Sequence, residues 1–295
     1  MRIIIIGGSG LIGSYLFNLL NKNKHQIIAT YCKNKTKNMI KFNMLEQKIS
    51  DVISNINDED IFIIMSAHSK PSWIFQNKKL SYKMNVSSTI DLIDQLIKFK
   101  SKIYFMSSVE IFDGKEGNYI EKSKPNPLNY YGKTKVLVEE YLKNNCQNYT
   151  ILRTGWNVGI SKKNKCVVNL TYETLLSEEA KMAFDNSFSI THVEDLCASI
   201  SKILFNNDVS RNDILHLSSS LTVRRTELAD FIIEHSKRGK DMTYKKVPFS
   251  DIKYSEPRGK LNNLKSQIKF VNENIKFRSP YETILEKVKF LDNLL

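Results

Sequence analysis

Tyr131 and Lys135 stand four residues apart in Tyr131-Gly132-Lys133-Thr134-Lys135, so a helix through them sets a phenol and an ammonium on one face. A phenol of ordinary pKa, about 10, is a poor acid or base at neutral pH. A neighbouring ammonium stabilises the phenolate and brings it toward working range. Tyr130 has Thr134 at the same spacing, so the register favours Tyr131. Upstream, Ser107 and Ser108 close an apolar run, where a hydroxyl points into the crevice at the carboxyl edge of a parallel sheet. Near the start, Gly7, Gly10 and Gly13 recur every third residue directly after a run of isoleucines. The first glycine permits a tight turn, the second lets backbone approach a pyrophosphate, and the third lets a helix pack on a strand. The helix that follows offers free N–H groups and the positive end of its dipole to an anion. Dinucleotide binding by Gly7, Ser9, Gly10, Leu11, Ile12 and Gly13 follows.

The elements that must carry these residues alternate. Arg2–Ile6, Gln26–Tyr31, Asp60–Met65, Lys102–Met106 and Thr150–Arg153 read as short, almost continuously apolar strands. Leu11–Leu20, Val86–Phe99 and a stretch from Tyr130 onward have helical spacing. Buried strands separated by helices predict a sheet covered on both faces. The expectation is an α/β chain: a Rossmann-type doubly wound parallel sheet over residues 1–160, and a smaller mixed α/β substrate lobe over 161–295, some of whose segments return to the first domain. Helices Val168–Leu176, Val193–Phe205 and Thr226–His235 belong to that second half.

At the end of the second strand a carboxylate would select NADH through the ribose hydroxyls. Thr30-Tyr31-Cys32-Lys33-Asn34-Lys35 has none, and Lys33 and Lys35 can neutralise a 2′-phosphate, so NADPH is expected over NADH. Over 295 residues, 44 Lys+Arg against 31 Asp+Glu give a net charge of +13, which raises nucleic acid as a partner. Only eight of the basic residues are arginine, and lysine clusters such as Lys33–Lys37 lack interleaved aromatics for base stacking. A solvated surface bias is the better reading, with no nucleic-acid partner. The four cysteines are far apart without a CxxC pair, and His25, His68, His192, His216 and His235 show no metal-ligand spacing, so no metal is expected. Arg224-Arg225 reads as a solvated first turn of its helix rather than a pyrophosphate contact. No run approaches the roughly 20 apolar residues of a membrane span, and a soluble, cytoplasmic protein is expected.

Glycine motif, serine and Tyr-xxx-Lys, in that order, resemble the extended short-chain dehydrogenase/reductase superfamily. Ser107–Gly114 looks like the Ser-Thr-Asp-Tyr-Val-Phe-Asp-Gly segment of dTDP-4-dehydrorhamnose reductases, and Arg153-Thr154-Gly155-Trp156 is similar to their Arg-Thr-Ser-Trp. Thr191–Leu196 and Arg258–Leu264 resemble two later segments of the same family. The resemblance implies a catalytic triad of Ser108, Tyr131 and Lys135. It adds Tyr31, Asn43, Met44, Ser66 and Ala67 to Lys33 and the glycine loop on the cofactor side, and Glu110, Trp156 and Arg258 on the substrate side. It implies NADPH-dependent reduction of the C4 ketone of a dTDP-, GDP- or CDP-linked 4-keto-6-deoxy sugar for surface-polysaccharide synthesis, with a homodimer as the assembly it leaves open. Val109 and Glu110 depart from the family's Asp-Tyr, and Gly259 from its proline. Glu110 stands where related dehydratases and some decarboxylases carry a glutamate base, so a nucleotide-sugar 4,6-dehydratase or epimerase with tightly bound NAD(P) is the rival expectation.

Overall fold

The computed structural model describes residues 2–22, 26–161, 166–206, 209 and 213–294; His25 lies outside them. The first half builds β1 (Ile3–Ile6), α1 (Leu11–Lys22), β2 (Ile27–Tyr31), β3 (Ile40–Lys41), β4 (Ile61–Ile64), α2 (Pro71–Gln76), α3 (Lys78–Tyr82), α4 (Ser88–Lys98), β5 (Lys102–Ser108), α5 (Tyr130–Asn145) and β6 (Tyr149–Thr154). β7 (Trp156–Val158), α6 (Val167–Leu175), β8 (Lys181–Ala183), β9 (Ser187–His192), α7 (Val193–Leu204), β10 (Asp213–Leu217) and β11 (Thr222–Val223) follow. The chain closes with α8 (Arg225–His235), β12 (Lys245–Val247), β13 (Leu261–Asn262), α9 (Lys269–Asn274) and α10 (Pro280–Asp292).

Seven parallel strands form the main sheet in the order β10-β6-β5-β4-β1-β2-β3. Because strand side chains alternate faces, each apolar run feeds two cores at once. Ile3, Ile5, Ile61 and Ile63 pack with Leu16 and Leu20 of α1 and Leu196 and Ile200 of α7. Ile4, Ile6, Phe62 and Ile64 pack with Leu92 and Leu96 of α4 and Val138 and Leu142 of α5. Each fully buried isoleucine contributes about 1.5–3 kcal/mol relative to exposure, and β1 alone places all four there.

A second sheet sets β9 between β11 and β13, with β7 also paired to β9. Its strands run both ways, β11 antiparallel and the others parallel to β9. α6, α8 and α10 cover it through Tyr172, Leu228, Ile232, Ile284 and Val288. The chain does not change lobes once. β7 already pairs in the second sheet, whereas β10 returns to the edge of the main sheet beside β6, and α7 packs into the first core. Among the described residues, no helix is long and apolar enough to cross a membrane.

Candidate active site

The loop from β1 into α1 is shaped by its glycines. Gly7 has φ +91°, and a Cβ there would lie 2.8 Å from the backbone N of Ser66. A Cβ on Gly13 would lie 2.4 Å from the Gly7 carbonyl oxygen, closer than real contacts allow. The loop is therefore a backbone cradle that side chains would fill, set at the positive end of α1. Gly7 N–H donates to the Thr30 hydroxyl at 3.1 Å, which ties the turn to β2.

Across the carboxyl edge of the sheet, Ser108 is the last residue of β5 and accepts from the Glu110 N–H at 3.2 Å. Asn129 caps α5 by accepting from Gly132 N–H at 2.8 Å, while its amide donates to the Glu110 carboxylate. Gly132 permits this closeness, since a Cβ there would collide with the Glu110 carbonyl oxygen. The first turn of α5 thus lies against the segment after Ser108 and brings Tyr131 to within hydrogen-bond reach of the Ser108 side chain. Lys135, one turn on, donates to the Met106 carbonyl at 2.8 Å and sits over the rings of Phe105 (4.7 Å) and Tyr131 (5.8 Å).

Two adjoining cavities share Gly7 and Ala67. The first, of about 350 Å³, brings Gly7, Gly10, Leu11, Ile12 and Gly13 face to face with Ser108, Tyr131 and Lys135. The second, of about 470 Å³, is lined by Ser9, Lys33, Asn43, Met44, Ser66 and Ala67. Of the residues expected on the cofactor side, Tyr31 lines neither cavity; it ends β2, and its carbonyl accepts from Phe42 N–H. Lys35 is likewise exposed and outside the lining, so Lys33 alone of the two lysines reaches the second cavity. Sequence reasoning missed His68, which lines that cavity and stacks on Trp73 at 4.0 Å, and Thr154 and Asn157, which line the first.

The Tyr131 phenol is held above its usual range, first by burial and then by the Glu110 carboxylate, with the Ser108 hydrogen bond opposing both. Burial outweighs the help expected from the neighbouring ammonium, and the phenol keeps its proton at neutral pH. The same burial pulls Lys135 down to about 8, against the charge of Glu139.

Glu110, Trp156 and Arg258 lie on the lobe side. Arg258 pairs with the Glu110 carboxylate at 3.1 Å, and that carboxylate also accepts from Asn129, so both its oxygens are engaged. Trp156 and Arg258 line a narrow crevice with Arg225, Phe188, Phe249 and Tyr254. Arg224 is exposed as expected, but Arg225 is not a solvated turn residue. Its guanidinium lies over the rings of Phe188 (5.2 Å) and Trp156 (5.7 Å) and donates to the Thr171 hydroxyl at 2.7 Å. Its contact with Phe188 of β9 turns this arginine inward, and nothing in its local sequence signals that. Among the described residues no metal-holding cluster of His, Cys, Asp and Glu occurs, and all four cysteines are free.

A parallel doubly wound sheet, a glycine cradle and a Ser/Tyr/Lys group facing it define an extended short-chain dehydrogenase/reductase-like chain. More narrowly, the chain belongs to the RmlD substrate binding domain family, which matches it over residues 1–289. Methionine adenosyltransferase 2 subunit beta of Xenopus laevis is 23% identical over 77% of this chain and 70% of its own length. A dTDP-4-dehydrorhamnose reductase of Aggregatibacter actinomycetemcomitans is 28% identical over 54% of this chain and 52% of its own. Among solved structures, the dTDP-4-dehydrorhamnose reductase of Bacillus anthracis in complex with NADP superposes with a TM-score of 0.78 at 22% identity, covering 98% of this chain and 99% of that one.

Proposed function

We propose that this chain is an NADPH-dependent reductase acting on the C4 ketone of a nucleotide-activated 4-keto-6-deoxy sugar. The observation that carries the reading is the single cavity in which Ser108, Tyr131 and Lys135 face Gly7, Gly10 and Gly13. The cradle fits a dinucleotide pyrophosphate, and Lys33 beside the second cavity fits the 2′-phosphate of NADPH. When bound, the dinucleotide supplies the hydride. Ser108 donates to the carbonyl oxygen, and Tyr131 gives it a proton as negative charge develops there. A phenol held above its usual range is the right starting form for a proton donor. Lys135 holds the ribose hydroxyls and offers positive charge beneath the Tyr131 ring, so the developing alkoxide meets donors already in place. Arg225 and Arg258 supply positive charge for the sugar-linked diphosphate, with Trp156 forming one wall of the crevice.

The rival expectation needs Glu110 as a free base, and its engagement by Arg258 and Asn129 argues instead for a carboxylate that orients Arg258. A second reading draws on the Xenopus relative, whose name is that of a subunit of another enzyme: a dinucleotide-binding subunit with a dispensable triad. NADPH oxidation across dTDP-, GDP- and CDP-linked 4-keto-6-deoxy sugars, with Tyr131→Phe as control, separates the three. The reductase consumes NADPH with one of these sugars and loses turnover in the variant. Net NADPH consumption is absent for a dehydratase or epimerase, and no sugar reacts in a binding subunit.

A further inference from the structure

We propose that Glu139, locked in place by Arg153 and Ser107, is the positioning residue that keeps the Lys135 ammonium charged beneath Tyr131. Tyr131, Lys135 and Glu139 recur every four residues and form one row along α5. Glu139 is 0% exposed and Arg153 1% exposed. The two make a forked pair, Nε to Oε1 at 3.0 Å and Nη2 to Oε2 at 2.6 Å. The Ser107 hydroxyl donates to Oε1 at 2.6 Å. A buried carboxylate on the next turn from a buried ammonium, in a site of low dielectric, favours its charged form without touching it.

Arg153 is itself over-determined. Its Nη1 donates to the Glu121 carbonyl at 3.2 Å and to His216 Nε2 at 3.3 Å, and its guanidinium covers the Phe112 ring at 5.4 Å. The result is a row of alternating charge, Lys135, Glu139 and Arg153, tied at its far end to the Glu121 carbonyl and to His216 of β10. The Glu121 carboxylate accepts from the His216 backbone N–H and from the Ser266 hydroxyl. The remaining charged groups around Lys135 leave Glu139 as the controlling one. Glu110 is turned to Arg258 beyond Tyr131, and Lys143 reaches Glu139 from the solvent side at 3.7 Å. Asp94 of α4 binds Tyr141 further along the helix. Burial alone depresses Lys135, and the Glu139 charge is what opposes it.

The inference rests on the reductase reading, in which Lys135 contacts the dinucleotide, and its test is built to fail separately. Glu139→Gln alone strands a buried guanidinium and endangers folding. The double variant E139Q/R153M removes both charges while leaving Ser107 an acceptor. NADPH affinity, followed by fluorescence titration from pH 6 to about 10, reports on Lys135 without turnover. In the wild type, affinity falls as pH rises through about 8. The double variant, which also loses the Arg153 contacts to the Glu121 carbonyl and His216, should unfold cooperatively at a lower temperature than the wild type while its alkaline limb moves down by about one pH unit or more. E139D, which keeps the charge but draws it back, moves the limb the same way by less, and serves if the double variant does not fold. A limb unmoved in both variants, or absent from the wild type, overturns the proposal. Failure of every keto-sugar to turn over defeats the reductase reading, and the affinity profile still judges Glu139.

Discussion

Replacing Arg225 with alanine is the perturbation that separates a built nucleotide crevice from an incidental stacking contact. Arg225 lies over Phe188 and Trp156, shares the crevice with Arg258, and its polar contacts are to hydroxyls rather than carboxylates. A guanidinium whose charge is unspent locally is available to an arriving diphosphate. Hydrogen bonds to a charged group contribute about 1.5–3 kcal/mol, which is a loss of about 10- to 150-fold in affinity when they are removed. Nucleoside diphosphates should therefore bind the alanine variant that much more weakly, measured by calorimetry. Quenching of Trp156 in a Trp73→Phe background gives an independent optical signal from the crevice itself. R225K should recover part of the loss, because an ammonium supplies charge without the planar fork. Free nucleosides, lacking phosphate, should bind both forms equally. Equal diphosphate affinity in wild type and R225A would refute the argument and return Arg225 to a packing role.

Other consequences follow from the same geometry. G13A, whose Cβ would meet the Gly7 carbonyl at 2.4 Å, should abolish NADPH binding in a fluorescence titration; undiminished affinity would contradict the cradle. K33E should lower the preference for NADPH over NADH by several-fold, whereas K35E should leave it unchanged, since only Lys33 lines the second cavity; competitive binding of the two dinucleotides decides this. Burial, with the charge of Arg153 adding to it against Glu121, holds His216 at about 4, well below its usual 6.5. The unfolded chain then takes up a proton first as pH falls, so stability is full above pH 6.5 and about 3 kcal/mol is lost between 6.5 and 4. Urea unfolding across that window should show the slope in the wild type and a shallower one in His216→Gln.

Much of the site was legible because its chemistry is local in sequence. A glycine every third residue after a buried strand, a hydroxyl at a strand end and a phenol four residues from an ammonium are short-range patterns, and they converge in one cavity. What stayed hidden depends on contacts between distant segments. Arg225 looks like any charged first-turn residue until the fold brings Trp156 and Phe188 against its guanidinium. Which later segment returns to the main sheet depends on the pairing of β10 with β6, some 60 residues upstream, which Asp213–Leu217 cannot announce. Glu139 reads as one more acidic residue on an exposed-looking helix, and only the approach of Arg153 from β6 makes it the anchor of a buried pair. How far burial raises the Tyr131 phenol is hidden for the same reason, because burial is set by everything packed around it.

The central claim is that hydride reaches a sugar carbonyl while Tyr131 protonates the oxygen. Incubation with NADPH carrying deuterium at C4 of the nicotinamide, followed by NMR of the sugar product, tests it most directly. One deuterium at C4 of the sugar in the wild type, with Tyr131→Phe slowed by about 10²–10⁴ at unchanged NADPH affinity, is the predicted result. Product without deuterium, or full activity in Tyr131→Phe, would contradict it.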